Sequence, residues 1–125
     1  MNISMIRWHA IKVNESQYQA WKELGAKTMG LKLIMEWPDI MMFGLPDGSI
    51  FEVYGPKSKH PPYFFDHNEV VVGFRVDDIE RASAELEAAG CELLGKIVEF
   101  KGYKYRHFRG PDGRTYGLNS GEMKL

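Results

Sequence analysis

The chain carries one turn twice. Phe43-Gly44-Leu45-Pro46-Asp47-Gly48 with Phe51 and Phe108-Arg109-Gly110-Pro111-Asp112-Gly113 with Tyr116 are spaced 65 positions apart throughout. Pro presets φ, Asp bonds its own backbone and Gly accepts positive φ, so each copy predicts a β-hairpin. Upstream, Trp8-His9-Ala10-Ile11-Lys12-Val13 overlies Val71-Val72-Gly73-Phe74-Arg75-Val76 as a first strand. Each runs into a helix start, and Ser16 with Gln19 and Asp77 with Glu80 have capping-box spacing. Tyr18, Trp21 and Leu24 recur at helical spacing in one copy, and Ile79, Ala82, Leu86 and Ala89 in the other. Gly30 and Gly90 are the expected left-handed ends, followed by extended stretches at 31–37 and 91–100.

The pattern is β-α-β-β-β, twice. It predicts an α+β fold of two tandem modules forming a cupped, mostly antiparallel sheet, with the helices on the convex face. Module one is expected over about 5–55, a connection over 56–68 and module two over about 69–120, all within one domain spanning 1–125. At 125 residues, with 44% hydrophobic and 26% charged, there is enough chain for one core and not for two independent ones. The connection holds Pro56, Pro61 and Pro62, but its Tyr63-Phe64-Phe65 is too apolar for a free linker. Those three rings are expected to pack over a cleft or a partner subunit.

Composition narrows the function classes. Sixteen Lys and Arg against seventeen Asp and Glu give a formal charge of -1, which argues against nucleic acid and anionic membranes as partners. The lone Cys91 has no internal disulfide partner, and its apolar context suggests a small buried hydrophobe. With no apolar run of membrane-span length and no signal-like start, the expected location is the cytoplasm. Phosphate-binding glycine loops and recognisable nucleophile constellations are missing, and no cofactor is expected.

Strand alternation sorts the rest by face. His9, Ile11, Val13, Phe51 and Val53 form one set with Val72, Phe74, Val76, Tyr116 and Leu118, and this set should pack on the helices. The opposite set contains Trp8, Ala10, Lys12, Ile50, Glu52, Tyr54, Val71, Gly73, Arg75, Thr115, Gly117 and Asn119. Its mixture of small, charged and aromatic residues suits a ligand pocket, the alternative being a solvent-facing sheet. Trp8, Lys12, Ile50, Glu52, Tyr54, Val71, Gly73, Arg75, Gly117 and Asn119 are therefore the candidate ligand-binding residues, with Trp37 as a further stacking ring.

Val76-Asp77-Asp78-Ile79 leading into Leu86-Glu87-Ala88-Ala89-Gly90, with Phe108-Arg109-Gly110-Pro111-Asp112-Gly113, resembles the vicinal oxygen chelate superfamily over residues 5–120. That group includes glyoxalase I, bleomycin-resistance and fosfomycin-resistance proteins and extradiol dioxygenases. Gly110 departs from the Asp usual in the family's turn. In the metalloenzymes of the family one ligand stands on the first and last strand of each module. The resemblance carries those positions onto Trp8, Glu52, Val71 and Gly117, where Glu52 alone has a metal-binding side chain. A metal-site-depleted member is implied. An unorthodox metal set of Glu52, His9 and His107 is the variant reading, and His60 and His67 are placed on the surface.

Two functions follow. One is a bleomycin-resistance-like protein that binds a small organic molecule between aromatic walls, as a homodimer. The other is a lyase, isomerase or dioxygenase-type enzyme using Glu52 as general base or metal ligand, with Arg75 or Lys12 steadying an enolate. A salt bridge from Glu52 to Lys12 or Arg75 is the structural alternative for that acid.

Overall fold

The computed structural model describes residues 1–124. They form two compact units: Trp8–Val71, and Met1–Arg7 together with the chain from Val72 on. Each unit carries one β-α-β-β-β run, so the repeat read from the turns is a repeat of architecture. No described helix is long and apolar enough to cross a membrane.

Module one consists of β1 (Ile3–Lys12), α1 (Glu15–Glu23), β2 (Lys32–Trp37), β3 (Ile40–Gly44) and β4 (Ile50–Tyr54), with strand order β2-β3-β4-β1. β1 and β4 are parallel, while β4 pairs with β3 and β3 with β2 antiparallel. Module two repeats this with β5 (Val70–Val76), α2 (Ile79–Ala88), β6 (Leu93–Phe100), β7 (Tyr103–Arg109) and β8 (Thr115–Ser120), in the order β5-β8-β7-β6. Here β5 and β8 are the parallel pair, and β8–β7 and β7–β6 are antiparallel.

Both Pro-Asp-Gly turns close hairpins as their chemistry requires. Gly48 has φ 87° and Gly113 φ 77°, a region where a side chain is strained. Asp47 Oδ1 accepts from the Ser49 amide at 2.9 Å, and Asp112 Oδ1 from the Arg114 amide at 3.1 Å. These Asx contacts satisfy the turn backbone locally.

The helix starts fall one or two residues from their sequence placement. Asn14, not Ser16, caps α1: its Oδ1 accepts from the Gln17 amide, and the Gln17 side chain accepts from the Asn14 amide. Ser16 instead donates its hydroxyl to Asn14 Oδ1 at 2.9 Å. At α2 the cap is Asp78, accepting from the Arg81 amide at 3.0 Å, rather than Asp77 with Glu80. With two neighbouring cap-type residues at each start, spacing alone does not choose between them. The first helix continues as a π-helical turn, Leu24–Thr28, before Gly30 reverses the chain at φ 67°.

The helix-facing alternation holds in both modules. Tyr18 of α1 is buried with Met41, Phe43 and Val53, and Ile11, Val13, Trp21 and Phe51 pack around them. Ile79 and Ala82 of α2 are buried with Val76, Phe108 and Leu118, and Phe74 and Tyr116 pack on that cluster. Cys91 joins its edge half-buried rather than fully enclosed.

The cap assignment has a direct test. Asn14→Ala removes the side-chain half of the capping box, the acceptor for the Gln17 amide, and should cost about 1 kcal/mol, whereas Ser16→Ala should change stability by less than about half of that. Urea unfolding of the two variants measures the contrast.

Candidate functional site

In module one the parallel pairing of β1 with β4 sets Trp8 opposite Ile50, Ala10 opposite Glu52 and Lys12 opposite Tyr54. The antiparallel pairing of β4 with β3 adds Met42 on the far side of Glu52. Glu52 thus lies between Ala10 and Met42, which offer its carboxylate no charge and no strong hydrogen bond. It is only 5% exposed.

Two side chains on the same face turn to it. The Trp8 indole Nε1–H donates to Glu52 Oε1 at 2.9 Å, and the Tyr54 hydroxyl donates to the same oxygen at 2.7 Å. Oε2 receives no hydrogen bond from the described residues. Burial pushes the Glu52 carboxyl above its ordinary value, and the bonds from Tyr54 and Trp8 offset part of that rise.

The aromatic connection packs against this face. Phe64 meets the Trp8 ring edge-on at 5.7 Å between centroids and the Tyr54 ring at 5.9 Å. Phe65 and His60 also abut Tyr54, at 5.4 and 5.8 Å. His60 Nδ1 lies 2.9 Å from the Pro61 carbonyl and Nε2 lies 3.2 Å from Lys12 Nζ. A carbonyl only accepts, so Nδ1 carries the proton and Nε2 accepts from the ammonium. Lys12 thereby ties the connection to β1, and it forms no salt bridge with Glu52. Phe64 and Phe65 thus pack on module one's own carboxylate face, with Tyr63 against Phe64. Neither Met42 as a neighbour of Glu52 nor His60 as a neighbour of Tyr54 stood out in the sequence, because nothing local in the chain announces a long-range pairing.

In module two, Gly73, Gly117 and His107 form one row across β5, β8 and β7, and Arg75, Asn119 and Tyr105 form the next. Val71, two residues before Gly73 on β5, is fully buried. Arg75 pairs with Glu122 Oε1 at 2.6 Å, not with Glu52. Arg7, buried at 3% exposure, reaches the other oxygen of Glu122 at 3.0 Å, a contact the sequence reading missed. His107 is buried, and desolvation pulls its imidazole down to about 4. Trp37 ends β2, paired with Ile40.

The positions marked by the resemblance are poor in metal donors. At the four positions the resemblance marks, the Trp8 N–H is a donor spent on Glu52, and Val71 and Gly117 carry no ligating atom. His9 pairs with Phe51 in the register that places Ala10 beside Glu52, so it belongs to the helix-facing set and not beside the carboxylate. Among the described residues no three His, Cys, Asp or Glu side chains gather as a metal site. These residues do not fit a divalent ion.

The raised carboxyl has a signed consequence. A folded value above the ordinary 4.5 means that folding takes up a proton between the two values. That contribution is fully present below the unfolded value and is lost as pH rises through the folded one. Glu52→Gln keeps an oxygen for Trp8 and Tyr54 but does not titrate. Its stability relative to wild type should therefore climb as pH is raised from acid to neutral, which urea unfolding across pH measures; a constant difference would contradict the burial argument.

Known proteins share this architecture. The chain resembles the Mn(II)-bound glyoxalase from Novosphingobium aromaticivorans with a TM-score of 0.70 and 19% identity, over 98% of this chain and 42% of that one. It spans less than half the length of that protein. Methylmalonyl-CoA epimerase from Mycobacterium tuberculosis matches with a TM-score of 0.69 and 15% identity, over 95% of this chain and 89% of the other. A mutant of 4-hydroxymandelate synthase from Streptomyces coelicolor gives a TM-score of 0.73 at 12% identity, over 98% and 50% of the two chains. These likenesses are of fold. No curated protein sequence matches the chain. The family model covers residues 7–116, and with both β-α-β-β-β modules inside that span the chain belongs to the Glyoxalase/Bleomycin resistance protein/Dioxygenase superfamily.

Proposed function

We propose that this member of the superfamily binds a small organic molecule on the carboxylate face of module one, without a complete metal site. The observation that carries the reading is Glu52: a carboxylate 5% exposed, with Oε1 filled by two donors and Oε2 receiving no hydrogen bond from the described residues. Burying a carboxyl beside Ala10 and Met42 costs stability, and a carboxylate oxygen left without a protein donor is the feature expected of a group kept to meet a ligand. Trp8 and Tyr54 fix its orientation, and Phe64 and Phe65 supply aromatic surface for a planar ligand.

The wider proposal treats the two units as one working domain. It has the protein act as a homodimer in the reducing cytoplasm, without nucleic acid or membrane as partner. The near-neutral charge and the single cysteine support that setting. Gly73, Arg75, Gly117 and Asn119 are proposed to present module two's own polar face to small molecules.

A second reading has one specific observation in its favour. A buried carboxyl with a raised pKa and an open oxygen has the attributes of a general base, and Glu52 would then take a proton from carbon beside a carbonyl.

A ligand screen by thermal shift, followed by two variants, separates the readings. For the binder, Trp8→Ala weakens a hit by about 1–3 kcal/mol through lost burial and stacking, and no hit is turned over. For the enzyme, a hit is converted, and Glu52→Gln lowers turnover by about 10² to 10⁴ while binding persists. The binder is the expected outcome. Turnover that disappears in Glu52→Gln would overturn it.

A further inference from the structure

Module two contains a polar group that nothing in its own packing explains. Asn119 is 1% exposed, and its Oδ1 is buried without a hydrogen-bond partner. An unpaired buried amide oxygen forfeits its hydration with no return, at a cost of about 1–3 kcal/mol, so an apolar side chain would serve the fold better. The cation next to it in the row does not repair the deficit: Arg75, paired with Asn119 across β5 and β8, gives its guanidinium to Glu122 at 2.6 Å.

The surroundings define what would complete it. On the same face, the adjoining row across the three strands is Gly73, Gly117 and His107, so two of its three positions contribute no side chain. Tyr105 lies opposite Asn119 on β7 and contacts the His107 ring at 5.8 Å. His107, held down to about 4 by burial, is a neutral imidazole at ordinary pH and adds no charge. The Asn carboxamide presents an acceptor, Oδ1, and a donor, Nδ2, side by side.

We infer that this face of module two binds a neutral, flat cyclic amide, whose N–H is given to Asn119 Oδ1 and whose adjacent carbonyl accepts from Nδ2. The ring lies over the backbone of Gly73 and Gly117, between Asn119 and the His107–Tyr105 pair. A carboxylate is disfavoured because it would bring a second acceptor to Oδ1. The inference rests on the proposal that module two's polar face meets small molecules, and uses none of the residues around Glu52.

Two probes and one variant test it. 2-Pyridone has the N–H beside the carbonyl, and N-methyl-2-pyridone keeps the ring and carbonyl without the N–H. Binding is read on the side-chain amide resonances of Asn119 in ¹⁵N-labelled protein. The expected result is a saturable shift with 2-pyridone and an affinity at least about tenfold weaker for the N-methyl compound, the worth of one lost hydrogen bond. Asn119→Leu should abolish 2-pyridone binding, measured by calorimetry, while leaving the unfolding midpoint unchanged or raised. Equal responses to the two probes, no response to either, or an Asn119→Leu variant that folds but is markedly destabilised would each overturn the inference. If Asn119→Leu fails to fold, the two probes on the wild-type protein decide the question alone.

Discussion

The site depends on the parallel pairing that joins the first strand of each module to its last. In module one it places Ala10, not a cation, across from Glu52, with Trp8 and Lys12 two residues to either side. Since side chains alternate across a strand, a slip of one residue would exchange the whole set for His9, Ile11 and Phe51. The helix-facing cluster of Tyr18, Met41, Phe43 and Val53 fixes that register, because any slip exposes those residues to the wrong side. The acid is thus held by the hydrophobic packing on the other face of the sheet.

This arrangement is costly in a consistent direction. Burial raises the Glu52 carboxyl, and two neutral donors on one oxygen only partly offset it. A design for stability alone would place a cation there, and both cations named from the sequence are engaged elsewhere, Lys12 with His60 and Arg75 with Glu122. Residues that break local rules for stability are concentrated at sites that meet something else. Glu52 in one module and Asn119 in the other are the two such residues on the ligand-facing sets, and they sit at neighbouring steps of the repeat: Tyr54 in module one corresponds to Asn119, and Glu52 to Gly117.

Much of the fold was legible because its signals are local. Pro-Asp-Gly turns, glycine helix ends and apolar alternation act within a few residues, and their recurrence at a fixed offset revealed the module. The caps were misplaced because Asn14 and Ser16, or Asp77 and Asp78, are equally good candidates until the backbone chooses. The site was legible in its face assignment and not in its contacts. The turn to Glu52 by Trp8 and Tyr54 is a matter of rotamers and distance. The face of His107 depended on the pairing of β7 with β8, and the buried Arg7 on a partner 115 residues away, neither of which leaves a local trace.

On the proposed function, the open oxygen of Glu52 is the point at which the protein reads its ligand. A crystal structure of the protein with the strongest hit from a ligand screen tests this most directly. The expected result is a ligand polar atom within hydrogen-bonding distance of Glu52 Oε2, with Trp8 and Tyr54 still donating to Oε1. A hit bound elsewhere, with Glu52 still enclosed and Oε2 untouched, would contradict it.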